Sequence, residues 1–171
     1  MSQERLEKLQ SLMRASNEDW PRKDFFTRSG KLVSWLEVRL AKSVGDSEIE
    51  FISSRVEGGR GASTTKYSAT ILTSDLVIFG ELSATDSNQI PPYPVPGDVK
   101  IVHRSKITGL TLHHVEYFET DETPDYVSFT ADFEDFPSLA IGMPKYSSQL
   151  DGSTARIFES LKADLAAAGQ R

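Results

Sequence analysis

Apolar residues recur at helical spacing at both ends of the chain and at every second position between them. Leu6, Leu9 and Met13 form a stripe among Glu4, Arg5, Glu7, Lys8 and Arg14, which predicts a helix over residues 2–16. Residues 17–29, containing Trp20-Pro21, interrupt it. A second stripe of Val33, Leu36, Leu40 and Val44 predicts a helix over residues 32–44, with Gly45 where a C-terminal cap belongs. The alternation of Leu36, Val38 and Leu40 also fits a strand, so both assignments stand at this point.

After Gly45 the period changes to two. Ile49 and Phe51 alternate with Glu48 and Glu50, until the glycine-rich residues 58–65 break the run. Two further β-prone runs, 66–72 and 76–83, flank Thr73-Ser74-Asp75, a short polar turn of the kind that closes a hairpin. Residues 84–98 carry Pro91, Pro92, Pro94 and Pro96 and cannot sustain a ladder, so an exposed loop is expected there. In 99–105, Val99, Ile101 and His103 share one face, and Lys100, Val102 and Arg104 the other. Residues 107–118 continue as strand, but the inward set slips from Leu110 and Leu112 to Val115 and Tyr117. That slip predicts a β-bulge at His113-His114. An acidic connection leads to Val127, Phe129, Ala131 and Phe133, which alternate with polar neighbours. Beyond Pro137 a short strand carries Leu139, Ile141 and Met143. The chain then returns to helical spacing over residues 153–168, with Ile157, Phe158, Leu161 and Leu165 on one stripe and Gly169 after it.

Composition narrows the class. A length of 171 residues, 38% of them hydrophobic, suits one domain that buries its own core without a metal or disulfide staple. With no cysteine, disulfides, thiol catalysis and thiolate zinc sites are all excluded. A net charge of −6 opposes general binding to nucleic acid or to anionic lipid, since both need a positive field. The polar start Met-Ser-Gln-Glu-Arg and the lack of a long apolar run point to the cytosol.

Roughly seven antiparallel strands followed by one amphipathic helix is an order that resembles the pleckstrin-homology-like superfold. Two segments carry the likeness. Residues 67–79 (YSATILTSDLVIF) are similar to the second and third strands of bacterial PH-like domains. Residues 99–112 (VKIVHRSKITGLTL) look like their strand pair entered through a basic-polar step. The resemblance implies an α+β fold over residues 45–171, a PH-like barrel or bent sheet capped by a C-terminal helix and preceded by a helical N-terminal extension, residues 1–44. It also implies a binding scaffold without transferable catalytic residues. Lipid-binding members carry several Lys and Arg around the first hairpin loop. Here Arg55, Arg60 and Lys66 are the cations of that region, so vesicle binding is expected to be weak.

No residue pattern points to catalysis. Adjacent strand histidines such as His113 and His114 point to opposite faces, so a site with His103 and Glu116 would need the bulge to turn one round. Ordinary sheet histidines and no metal are expected. Asp132, Glu134 and Asp135 fall on or beside a polar strand face, where solvated charge is expected rather than acid–base work. No serine lies in a Gly-x-Ser-x-Gly elbow. The loop 58–65 has the backbone freedom of an anion cradle with Arg60 and Lys66 as charge partners, yet lacks the Gly-Lys-Ser/Thr ending of a P-loop and precedes a strand. The stripe Leu6, Leu9, Met13, with Trp20, Phe25 and Phe26 beside it, is too short to be stable alone and must dock on the sheet, pair with another chain, or fray. The expectation is a non-catalytic adaptor, without cofactor, that binds a protein partner or a second copy through surface loops or through Leu6, Leu9, Met13 and Trp20. The alternative is a small-ligand or lipid-headgroup site at Arg55, Arg60 and Lys66.

Overall fold

The computed structural model describes residues 3–21, 28–58, 64–85, 97–116, 126–142 and 153–170. Helix α1 (Gln3–Ser16) carries Glu4 in its first turn and Arg14 in its last, each matched to the helix dipole, and buries Leu9 and Met13 one turn apart. Helix α2 (Arg28–Val44) resolves the choice left open at Leu36, Val38 and Leu40: the leucines are buried and Val38 is half-buried, as a helical stripe requires. The helix stops at Gly45, whose φ of +60° suits glycine and whose N–H returns to the Ala41 carbonyl at 3.2 Å.

Four strands follow as an antiparallel meander: β1 (Ile49–Glu57), β2 (Thr64–Thr73), β3 (Leu76–Thr85) and β4 (Asp98–His103). The β2–β3 hairpin forms where the Thr73-Ser74-Asp75 turn predicts it, with the Thr73 hydroxyl accepting from the Leu76 N–H at 3.0 Å. A 3₁₀ turn, Arg104–Lys106, then redirects the chain: the Arg104 N–H bonds the Asp75 carbonyl at 2.8 Å, and His103 Nδ1 accepts from the Ser105 N–H. Beyond it β5 (Ile107–Glu116), β6 (Tyr126–Phe133) and β7 (Leu139–Ile141) form a second antiparallel meander, and α3 (Ser153–Ala168) closes the chain. The α+β class, the seven antiparallel strands and the C-terminal helix thus stand. The strands are divided into sheets of four and three that do not close into a barrel; among the described residues no ladder joins β4 to β5. The register between β5 and β6 shifts between Leu112 and His114, the bulge that the phase slip predicts.

Period two in the first sheet serves two cores. Ile52, Tyr67, Ala69, Ile71, Ile78 and Leu82 face one way and pack with Leu9, Met13, Trp20, Leu36 and Leu40. The helical layer lies so close that a β-carbon at Gly80 would come within 2.8 Å of Leu40 and 2.9 Å of Leu36. Inside this layer Glu37, 1% exposed, accepts from Gln10 Nε2 at 2.6 Å and Trp20 Nε1 at 2.9 Å, binding α1, α2 and the intervening segment together. The alternate residues Phe51, Leu72 and Val77 face the other way, against Val127, Phe129, Phe133 and Ile141 of the second sheet and Ile157 and Leu161 of α3.

The stripe on α3 has a direct stability consequence. Leu161 is fully buried and its neighbour Lys162 exposed, so Leu161→Ala is expected to cost about 2–5 kcal/mol and Lys162→Ala less than about 0.5 kcal/mol. Urea titration of the two variants checks this, and equal midpoints would contradict the packing.

Candidate functional site

The face of the first sheet that looks toward the second changes character along its length. Cross-strand register puts Phe51, Leu72, Val77 and Val102 in one row, all apolar. The next row is Ser53, Thr70, Phe79 and Lys100; beyond it come Arg55, Ser68, Glu81 and Asp98, then Glu57, Lys66 and Ser83. The apolar row is core, while the rows beyond it, Asp98 and Ser83 excepted, form one wall of a cleft of about 280 Å³. Pro137, Ser138, Leu139 and Ala140, at the start of the three-residue β7, form the opposite wall. The cleft thus arises because β1, β2 and β3 exchange apolar for polar residues on one face, two residues at a time.

Electrostatically the cleft is mixed. The Lys66 ammonium lies 2.9 Å from a Glu81 carboxylate oxygen, and that hydrogen bond, reinforced by charge attraction, raises the Lys66 pKa above its ordinary value. Arg55 lies 3.7 Å from Glu57 and donates from Nη2 to the Ala140 carbonyl at 3.5 Å, reaching across to the far wall. Lys100 is exposed and makes no ion pair with a described residue. Three cations against Glu57 and Glu81, with the hydroxyls of Ser53, Ser68 and Thr70 between them, make a surface able to hold a polar anionic group by charge-assisted hydrogen bonds.

Arg55 and Lys66, singled out in the sequence, therefore share this cleft. Arg60 lies outside the described residues, as do Phe25, Phe26, Tyr117, Met143, residues 59–63 and the proline-rich and acidic connections, 86–96 and 117–125. In the sequence Lys100 reads only as a strand position alternating with Val99 and Ile101, far from the hairpin loop; the sheet register is what brings it to the cleft.

Of the alternatives that the sequence leaves open for the N-terminal stripe, the packing shows docking on the chain's own sheet. Leu9, Met13 and Trp20 are buried in the chain's own core and Leu6 packs against it, because the helix lies on the sheet in cis. The histidines stay apart: His103 Nδ1 meets the Ser105 hydroxyl at 2.8 Å, His113 Nε2 the Thr130 hydroxyl at 2.8 Å, and His114 lies 3.3 Å from Glu116. Among the described residues no three metal-binding side chains converge. Glu134 pairs with Lys106 at 2.7 Å, which holds the carboxyl below and the ammonium above its usual pKa, while Asp132 accepts a hydrogen bond from Ser138. No helix among the described residues is long and apolar enough to cross a membrane. No protein-family model matches the chain, and comparison with curated proteins and with solved structures finds no match.

Proposed function

We propose that the chain is a non-catalytic binding module of the pleckstrin-homology-like kind that takes an anionic ligand in the cleft between β1–β4 and β7. The observation that carries the reading is the convergence of Arg55, Lys66 and Lys100, from three different strands, on one cleft with hydroxyl groups between them. The family reading draws support from the order of elements, an antiparallel four-strand sheet, then a three-strand sheet, then a helix packed on the second sheet. Binding a protein partner through the N-terminal stripe would require α1 to leave the sheet, since Leu9 and Met13 are buried under it. The cleft is open without any such rearrangement, which favours it as the working surface.

A phosphate-bearing metabolite and a lipid headgroup share the chemistry that these cations recognise. Net charge separates them: a protein at −6 is repelled by an anionic bilayer, whereas a small free anion meets chiefly the local cations. Calorimetric titration with inorganic phosphate and pyrophosphate, beside co-sedimentation with phosphatidylserine vesicles, tests both sources. Binding of the free anion is expected to weaken about tenfold in Lys100→Ala, the loss of one charge-assisted contact worth about 1.4 kcal/mol. Vesicle binding should be weak. Affinity for the anion unchanged in both Lys100→Ala and Lys66→Ala would sink the assignment of the cleft.

A further inference from the structure

We propose that two copies of this chain associate through β4, pairing antiparallel about a twofold axis at Ile101. The inference is independent of what the cleft binds. Strand β4 is the last of the first sheet, and among the described residues nothing pairs with its outer edge. Natural sheets protect a free edge with charge, a bulge, proline or a covering element, since its unpaired N–H and C=O groups template association. Strand β4 carries exposed Asp98 and Lys100, but at its middle stands Ile101, 50% exposed, a β-branched apolar residue with high strand preference. It faces the helical side of the sheet, because it lies opposite Ile78 in the ladder.

A second exposed apolar residue flanks it. Trp35, 42% exposed, sits on α2 one turn before Arg39, and the Arg39 guanidinium donates to the carbonyl of Gly97, the residue that leads into β4. Trp35 therefore lies on the flank of α2 that is turned toward the edge strand, and α2 itself packs against β4. Helix and strand together offer an apolar step along the open side of the sheet.

Symmetry and charge choose the occupant and the register. A continuous sheet across a twofold axis must keep each side chain on its own face, so the axis passes through a residue of β4. Centring on Lys100 or on Ile101 engages five residues of each strand; the other centres engage three or fewer. The Lys100 register sets two ammonium groups directly opposite one another, which is destabilising. The Ile101 register sets Ile101 against itself, Val99 against His103 and Lys100 against Val102, with no like charges opposed. It also brings both α2 helices to the same face, so that each Trp35 borders the paired isoleucines. A ladder of five residues with two tryptophans buries less than the roughly 1,200–2,000 Å² of a stable interface, so the dimer is weak, reversible and visible at high concentration.

Sedimentation velocity of the full chain over a concentration series should show a mass that rises from monomer toward dimer, and Ile101→Lys should remain monomeric throughout with an unchanged melting temperature. Because the chain has no cysteine, Ile101→Cys carries a single thiol. Directly opposed strand residues have Cα atoms about 4.5–5.5 Å apart, within the span of a disulfide, so a mild oxidant should link this variant into a covalent dimer. Leu112→Cys, similarly exposed on the edge strand β5 but beside the bulge between Leu112 and His114 that disrupts that edge, should not cross-link. Wild-type protein that stays monomeric at every concentration, an Ile101→Cys variant that fails to cross-link, or equal cross-linking of the two variants would overturn the proposal.

Discussion

Arg104→Ala is expected to lower the free energy of unfolding by about 1–3 kcal/mol, the cost of leaving the buried Thr73 carbonyl without its donor, with less from ion pairs whose carboxylates are about a third exposed. Arg104 is 3% exposed and ties β1, the β2–β3 turn and α3 together by polar contacts, beside the apolar core that they share. Its Nη1 donates to Glu50 of β1 at 2.7 Å and to the Thr73 carbonyl at 3.0 Å, and its Nε to Asp164 of α3 at 2.8 Å. The Ser160 hydroxyl lies 2.5 Å from Nη2. Alanine leaves the Thr73 carbonyl and the two carboxylates without their donor and opens a hole between β1, the β2–β3 hairpin and α3. Arg104→Lys is expected to recover little, because a single ammonium cannot reproduce a planar fork aimed at several acceptors. Glu50→Gln should be milder, since Asp164 remains to balance the guanidinium. Urea unfolding of the three variants orders them, and an alanine variant within about 1 kcal/mol of wild type would show that the guanidinium contributes no net stability.

Removing residues 1–44 should abolish cooperative folding of the remainder. The deletion exposes Ile52, Tyr67, Ile71, Ile78 and Leu82 at once, and at about 1.5–3 kcal/mol for each large apolar side chain their loss exceeds much of a typical stability of about 5–15 kcal/mol. It also strips Ser54 of hydrogen bonds: its N–H donates to the Ser16 hydroxyl at 2.9 Å and its own hydroxyl to the Met13 carbonyl at 2.7 Å. The truncated chain is expected to melt without a sharp transition and to bind a hydrophobic dye. A cooperative thermal transition in a soluble monomer of residues 45–171 would refute this.

What the sequence disclosed depended on how far apart the cooperating residues lie. The end helices, the β2–β3 hairpin and the bulge at His113-His114 were visible because each is written in the spacing of neighbours. Arg104 was not. On a strand pattern it alternates with His103 like any surface charge, and its partners Glu50 and Asp164 lie 54 and 60 residues away. Glu37 was hidden in the same way, since on a helical wheel it adjoins a stripe of leucines and its burial follows from Gln10 and Trp20 arriving beside it. Half of the candidate cleft was legible, in Arg55 and Lys66. The other half needed β4 and the turn before β7 to come within reach, a matter of sheet packing that period-two alternation cannot express.

The sheet common to both cores also sets where the molecule opens last. Strands β2 and β3 are interior to their sheet, hydrogen-bonded on both sides, and alternate residues on each strand belong to different cores. Loosening the helical layer still leaves Leu72 and Val77 held by the second sheet, and loosening α3 still leaves Ile71 and Ile78 held by the helices. Amide protons of residues 69–72 and 77–80 should therefore exchange with solvent only through global unfolding, while those of α1 and of α3 escape through separate, cheaper fluctuations. The hairpin acts as a hinge pin between two leaves: either can fray at its outer helix while the pin holds, but neither can be lost whole.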